Sequence, residues 1–164
     1  MNQGFSIITG GGGGVMEAAN YGAHIGKGVS AGLCLKLKGY EKRNKFIDPG
    51  MAIDFSNFFS RKATFLKHIK AAVVFPGGIG TLDELFEVLL AIRAKKIKSI
   101  PIYLVEKSFW KGLMQWMSSN VFDNSLAPKE LLGNLHLTDN INKIALDLKR
   151  ISPANLDESV HQTV

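Results

Sequence analysis

Two glycine-rich segments of this sequence contain the residues best suited to bind an anion. The first, Thr9–Met16, reads TGGGGGVM, and the second, Phe75–Glu84, reads FPGGIGTLDE. Each segment lies between a short apolar run and a helical pattern, so each is predicted to join a strand to the N-terminus of a helix. A helix N-terminus exposes N–H groups that carry partial positive charge, and glycines let an anion approach them closely. Two such loops in one chain predict a ligand that carries phosphate.

Neither loop matches the common nucleotide-binding motifs. In G-x-G-x-x-G, the possible starts in the first loop leave Val15, Met16 or Glu17 at the third glycine position, and the second loop has Asp83 there. The P-loop pattern also fails, since no glycine stands five residues before the Gly-Lys pair. These counts exclude a dinucleotide fingerprint and argue against a kinase-type loop. A tight structural turn stays open as the alternative for either glycine run alone.

The elements that would position these loops follow an alternating order of short strands and longer helices, which predicts an α/β fold with a mostly parallel sheet. The apolar runs predict strands at Phe5–Thr9, Val29–Leu37, Met51–Phe55, Ala71–Phe75, Ile100–Val105 and Leu135–Leu137. Helical spacing predicts helices at Val15–Gly26, Asn57–Lys70, Leu82–Ile97, Phe109–Met117 and Ile141–Ile151. We therefore expect a single α/β domain over residues 1–151 and a C-terminal tail over residues 152–164.

The amino-acid composition limits which binding partners and which cellular compartment we expect for this protein. Twenty Lys and Arg residues against 14 Asp and Glu give a net charge of +6, which favours an anionic partner: nucleic acid, a membrane surface or a small phosphorylated ligand. The longest apolar runs have five residues, whereas a membrane-spanning helix needs about 20. The first residues do not resemble a signal peptide, and the single cysteine, Cys34, has no partner for an internal disulfide. We expect a cytoplasmic protein.

The second loop and a segment upstream of it resemble a known family. Residues Pro76–Glu84 match PGGxGTxxE at every position, and Arg61-Lys62 lie upstream in the segment FFSRK. The segment Thr9–Ala19 corresponds to the earlier glycine loop of that family. The combination resembles the LONELY GUY nucleoside 5′-monophosphate phosphoribohydrolases, which are often labelled lysine decarboxylases. The resemblance extends from about Gly4 to Trp116 and more loosely to Ile151.

This resemblance implies a Rossmann-like three-layer α/β fold with a mostly parallel sheet, and an enzyme that works without a metal or another cofactor. The implied reaction hydrolyses the N-glycosidic bond of a nucleoside 5′-monophosphate, either AMP or a related purine or cytokinin nucleotide. The products are the free base and ribose 5-phosphate. The resemblance also implies a homodimer or higher homo-oligomer, with no membrane partner, and it does not favour nucleic acid.

The sequence departs from the family pattern at three places. Gly13 occupies a position where close relatives commonly have proline, which is expected to loosen the first loop. Glu17 replaces a glycine of the shorter cytokinin-type members and indicates the longer bacterial branch. Relatives carry a further strand, a small-residue loop and a helix before the equivalent of Phe5–Thr9, so the chain is expected to lack the family's N-terminal strand and helix.

The resemblance assigns the catalytic roles to Glu84 and Arg61. Cleavage of the C1′–N bond builds positive charge on the sugar, and a carboxylate can stabilise that charge and orient the attacking water. An arginine can hydrogen-bond the base or the ribose, but its very high pKa makes it a poor proton donor. The same resemblance assigns substrate or phosphate binding to Gly11, Gly12, Gly14, Met16, Lys62, Gly77, Gly78, Gly80, Thr81 and Glu87.

Three alternative interpretations stay open at this point. Thr81-x-x-Glu84 has the spacing of a capping box, in which Glu84 would bond back to the helix start. Cys34 alternates within a predicted strand, which indicates a packed residue rather than a nucleophile. The alternative to an enzyme is a Rossmann-like module that binds a nucleotide, a cofactor or single-stranded DNA without hydrolysis. The four histidines lack the spacing of a metal site.

Overall fold

The computed structural model describes residues 5–37 and 42–150, and the chain divides into two compact units, Met1–Ile69 and Lys70–Val164. Each unit combines a three-stranded parallel sheet with helices that alternate with the strands. This architecture confirms the predicted Rossmann-like α/β class. The expectation of one domain over residues 1–151 stays a prediction, and the predicted tail lies outside the described residues. Within the described ranges, no helix is both long and apolar enough to cross a membrane.

The first unit contains a parallel sheet flanked by two helices. Its elements are β1 (Ile7–Thr9), α1 (Val15–Ile25), β2 (Ser30–Leu35), β3 (Ala52–Phe55) and α2 (Phe58–His68). The strand order is β1-β2-β3, and the register pairs Thr9 with Gly32 and Cys34 with Asp54. Because the strands are parallel, their carboxyl ends and the loops that follow them lie at one edge of the sheet.

The second unit has its own sheet and core. Its elements are β4 (Ala72–Val74), α3 (Ile79–Arg93), β5 (Ile102–Val105), α4 (Lys107–Met117), a π-helical turn (Ser118–Phe122), a 3₁₀ helix (Lys129–Asn134), β6 (Leu135–Thr138) and α5 (Ile141–Arg150). The strand order is β4-β5-β6. Ile102, Leu104 and Trp110 are fully buried, and the indole Nε1–H of Trp110 donates to the carbonyl of Val105 at 2.9 Å. The indole thus packs in the core with its polar group paired.

Helix α3 differs from its predicted bounds at both ends. It begins at Ile79 rather than Leu82, because Gly78 is the N-cap and its carbonyl accepts from the N–H groups of Thr81 and Leu82 at 3.0 and 3.2 Å. It ends at Arg93 rather than near Ile97. Lys95 adopts a φ of 54°, and such a left-handed residue terminates a helix.

Candidate functional site

The first glycine loop connects β1 to α1, and two of its glycines are required by the backbone. Gly11 and Gly14 have φ angles of 76° and 67°, in the left-handed region that favours glycine. Gly11 is also buried, and a Cβ there would overlap Cys34 Sγ and lie 3.2 Å from Ile47 Cδ1. Gly14 is the N-cap of α1 and has no side chain to cap it. The glycines therefore bring backbone to the start of the helix, and the Met16 side chain lies against Gly10 and Gly12.

Three buried polar side chains form hydrogen bonds with one another and with the backbone of this loop. They are Thr9, Asn20 and Asn44, here called the loop clamp. Thr9 Oγ1 accepts from the Gly11 N–H at 3.0 Å and donates to Asn20 Oδ1 at 2.6 Å. The side chain of Asn44 donates to the same Oδ1 at 2.9 Å and to the Gly12 carbonyl at 3.0 Å. Sequence reasoning missed these residues. The sequence contains only a weak sign of burial for Asn20. It lies four positions after Met16 and three before the buried Ala23, a spacing that places the three residues on one face of the helix.

Arg61 lies beside this loop in the first unit. Its Nε–H donates to the Leu33 carbonyl of β2 at 2.7 Å, and its guanidinium carbon lies 5.1 Å from the centre of the Phe65 ring. A Cβ on Gly10 would overlap Arg61 Nη2, so the guanidinium rests against the loop backbone. The structure thus brings Arg61 together with the predicted glycine loop. Lys62 follows it on α2 and is half-buried.

The start of α2 explains how Arg61 reaches this position. The side chain of Asn57 caps the helix and accepts from the Ser60 N–H at 3.0 Å. Helix α2 therefore begins at Phe58, and the helix predicted over Asn57–Lys70 is present in slightly shorter form. Arg61 stands in its first turn, close to the carboxyl end of β2.

Cys34 is packed under the same loop, as the alternating pattern predicted. The residue is 4% exposed, and burial raises the pKa of its thiol; Asp54 adds to the rise, while the nearby guanidinium groups of Arg43 and Arg61 oppose it. Asp54 forms ion pairs with Arg43 and, at 3.5 Å, with Lys36. A buried thiol with a raised pKa stays protonated at neutral pH and is a poor nucleophile.

The second glycine loop forms the start of α3 in the second unit. A Cβ on Gly77 would overlap Thr81 Oγ1 and lie 2.8 Å from Thr81 Cβ, so the threonine side chain rests on the glycine backbone. Gly78 and Gly80 are exposed, with open space where a Cβ would stand. The N–H groups of Ile79 and Gly80 precede the first helical hydrogen bond, so the helix offers them no acceptor. This turn can donate to an anion.

Glu84 and Glu87 are half-buried and lie three residues apart on α3, where side chains are neighbours on one face. The helix begins at Ile79 after the N-cap Gly78, so Thr81 is the third residue of the first turn and not a cap. Glu84 stands six residues after the N-cap, whereas a capping box needs three. The capping-box interpretation of Glu84 is therefore wrong.

The predicted site residues fall into two groups. Gly11, Gly12, Gly14, Met16, Arg61 and Lys62 belong to the first unit, where the loop and the arginine meet. Gly77, Gly78, Gly80, Thr81, Glu84 and Glu87 belong to the second unit, where they occupy the start and second turn of α3. Among the residues described, no group of three or more His, Cys, Asp or Glu side chains is arranged to hold a metal ion.

The close fit of Thr81 on Gly77 leads to a stability prediction. Gly77→Ala is expected to lower the free energy of unfolding by about 1–3 kcal/mol, because the added methyl group forces the threonine or the turn to move. For a chain of this size, that is a Tm lower by roughly 2–4 °C per kcal/mol.

Gly80→Ala is the matched control for this measurement. Its Cβ meets nothing within 4 Å, and alanine favours the helix over glycine by up to about 1 kcal/mol. Calorimetry is expected to show a Tm that is unchanged or higher for this variant. A Gly77→Ala protein as stable as the Gly80→Ala protein would contradict the observed packing.

Taken together, the parallel strands and glycine loops define a Rossmann-like α/β protein with two glycine-rich turns at helix N-termini. The chain matches the family described as "Possible lysine decarboxylase" over residues 16–148, and it belongs to that family. This family contains the LONELY GUY proteins, so the resemblance drawn from PGGxGTxxE is confirmed. It is generally associated with enzymatic activity. A comparison with curated proteins finds no match.

Proposed function

We propose that this protein hydrolyses the N-glycosidic bond of a nucleoside 5′-monophosphate, AMP or a related purine or cytokinin nucleotide, to the free base and ribose 5-phosphate. The observation that carries the proposal is the position of PGGxGTxxE. Its glycines form the N-terminus of α3, and its glutamate lies in the second turn, beyond the reach of a cap. The motif therefore joins a glycine-rich helix N-terminus, which suits an anion, to a carboxylate in the second turn of the same helix.

The residue roles follow from the chemistry of the reaction. The N–H groups of the second loop and the Thr81 hydroxyl suit the phosphate, and Glu87 suits the ribose hydroxyls. As the C1′–N bond breaks, its electron pair leaves with the base while the oxygen of a water bonds to C1′ and a water proton passes to the base. Glu84 would stabilise the positive charge on the sugar and orient that water. Arg61 would hold the base or ribose by hydrogen bonds rather than give up a proton.

The label of the family describes a different reaction, and the loops do not favour it. Amino-acid decarboxylation on pyridoxal phosphate needs a lysine that forms a Schiff base. Neither Thr9–Met16 nor Phe75–Glu84 contains a lysine. These segments instead combine glycine, a hydroxyl and a carboxylate, which suit a phosphorylated sugar.

The alternative is a module that binds a nucleotide, a cofactor or single-stranded DNA without hydrolysis, and the net charge of +6 is the observation that favours it. The family resemblance further supports a homodimer or higher homo-oligomer in the cytoplasm. Light scattering on the purified protein would measure the oligomer.

Incubation with AMP, GMP, CMP and an N6-substituted AMP, followed by chromatography of the free base, tests the function. Adenosine is the matched substrate that lacks only the phosphate. We expect free base from at least one nucleotide, and a rate at least about tenfold lower from adenosine, because charge-assisted phosphate contacts are lost. Nucleotide binding without release of base would favour the alternative module. Equal rates on AMP and adenosine would contradict the phosphate-binding role.

A further inference from the structure

The loop clamp determines which way the peptide groups of the first glycine loop face. Asn44 donates twice to the loop: its backbone N–H to the Gly11 carbonyl at 2.8 Å and its side-chain amide to the Gly12 carbonyl at 3.0 Å. Two successive carbonyl oxygens are therefore turned toward Asn44, into the protein. A carbonyl oxygen directed at an anionic ligand would repel it, so this orientation favours an anion on the opposite side of the loop.

The same geometry fixes the direction of two N–H groups. The peptide bonds of the described residues are all trans, and in a trans peptide the N–H points opposite to the C=O. The Gly11 carbonyl shares its peptide group with the Gly12 N–H, and the Gly12 carbonyl shares its group with the Gly13 N–H. Because both carbonyls face Asn44, the N–H groups of Gly12 and Gly13 point away from it. Gly13 is exposed and Gly12 is half-buried.

Asn20 and Thr9 keep Asn44 in place. Asn20 is fully buried; its Oδ1 accepts from both other clamp residues, and its amide donates to Ser30 Oγ at 2.8 Å. The amide of Asn20 also donates to the Ala31 carbonyl at 3.2 Å. Its donors and acceptor are thus all used, which leaves one arrangement of the side chain. A satisfied buried network of this kind orders the backbone that it contacts.

We propose that the loop clamp positions the N–H groups of Gly12 and Gly13 as a pair of donors to oxygens of the nucleotide, with Asn44 as the positioning residue. The inference rests on the proposed function and adds to it a role for three side chains that do not touch the substrate. It also bears on Arg61, since the guanidinium rests against Gly10 and a loop that shifts would displace it.

A variant pair separates positioning from simple stability. Asn44→Ala removes the donor to the Gly12 carbonyl. Asn134→Ala is its control: Asn134 is also 8% exposed and also donates twice, to Ser99 Oγ at 2.6 Å and the Ile100 carbonyl at 2.8 Å. Both variants are expected to lower the Tm. At a temperature where both are folded, only Asn44→Ala is expected to lower kcat/KM for AMP, by about tenfold or more and mainly through KM. Similar kcat/KM values for the two variants would overturn the inference.

A second pair of variants, with smaller changes at Thr9, tests the same inference if Asn44→Ala does not fold. Thr9→Val is nearly isosteric and removes the hydroxyl that binds the Gly11 N–H and Asn20, whereas Thr9→Ser keeps that hydroxyl. We expect the serine variant to retain kcat/KM within about twofold and the valine variant to lose several-fold. Equal values for the two would overturn the inference.

Amide NMR with added AMP gives a test that does not depend on turnover. The Gly12 and Gly13 amide resonances are expected to be among those that shift in the unchanged protein, and to shift less in Asn44→Ala. Absence of shifts at both amides would overturn the inference even in an active enzyme. Shifts at both without any hydrolysis would overturn only the proposed function.

Discussion

Glu84→Gln is expected to lower the hydrolysis of AMP by at least about a hundredfold and to leave the Tm nearly unchanged. The carboxylate is proposed to face the positive charge that develops on the sugar, and removal of one preorganised electrostatic partner commonly costs 10²–10³-fold in rate. Glutamine keeps the size and the hydrogen-bonding reach of the side chain but not its charge. Nucleotide binding is expected to persist, because the N–H groups of Gly77–Thr81 that are proposed to bind the phosphate are untouched.

The expectation for stability follows from the position of the residue. Glu84 is half-buried in the second turn of α3, and the cap of that helix is Gly78. Glu84 is therefore not at the capping-box position, and glutamine keeps the length and the hydrogen-bonding reach of the side chain.

Asp83→Asn is the matched control, since it removes one negative charge from the adjacent, exposed position of the same helix. Steady-state kinetics with AMP and calorimetry on both variants measure the two effects. We expect Asp83→Asn to keep its activity within about threefold, as an exposed surface charge contributes little. If the unchanged protein is active and Glu84→Gln retains most of that activity, Glu84 is not the catalytic carboxylate.

The alternation of short strands and helices could be predicted from the sequence, because the spacing of apolar residues indicates which face of each element is buried. The start of α3 was not. Thr81 and Glu84 have the residue types of a capping box, while the true cap, Gly78, has no side chain and gives no comparable signal. The local sequence therefore predicted a helix start at Leu82. In the structure the helix begins at Ile79, where the first hydrogen bonds are accepted by the Gly78 carbonyl.

The parts of the candidate site that lie in one continuous segment could be predicted from the sequence. The parts that are built from residues far apart in the chain could not. PGGxGTxxE and the first glycine loop are each contiguous in the chain. The loop clamp joins Thr9 to Asn20, 11 residues later, and Asn44 to Gly12, 32 residues earlier. A buried asparagine has no sequence mark that distinguishes it from an exposed one. Its partners become visible only when the fold brings them together.

Arg61→Ala is expected to lower kcat/KM for AMP by about a hundredfold, the second large effect that the proposed function predicts. The guanidinium is held in one orientation by the Leu33 carbonyl, the Phe65 ring and the backbone of Gly10. Such a fixed planar group is suited to hydrogen-bond a base or ribose in one geometry. These contacts also stabilise the first unit. We therefore expect the free energy of unfolding to fall by about 1–2 kcal/mol, which lowers the Tm moderately.

Two comparison variants distinguish the guanidinium from its charge. Arg61→Lys keeps the charge but not the planar fork, and we expect it to recover less than a tenth of the lost activity. Arg43→Ala removes the same charge from the same unit at an exposed ion pair with Asp54 and is expected to stay within about threefold of the unchanged protein. An Arg61→Lys protein with full activity would show that a positive charge is sufficient.

Chemical rescue gives the sharpest test of the arginine. In Arg61→Ala, the space between Gly10 and Phe65 is opened, and guanidinium or methylguanidinium added at millimolar concentration is expected to restore part of the rate, because it replaces the missing group without its tether. The same additive is expected to leave Glu84→Gln inactive, since that variant lacks a carboxylate. Saturable recovery in the first variant alone would assign the lost activity to the guanidinium itself. Failure of rescue while the variant is folded and binds AMP would indicate that Arg61 acts by packing against the loop and not by contact with the substrate.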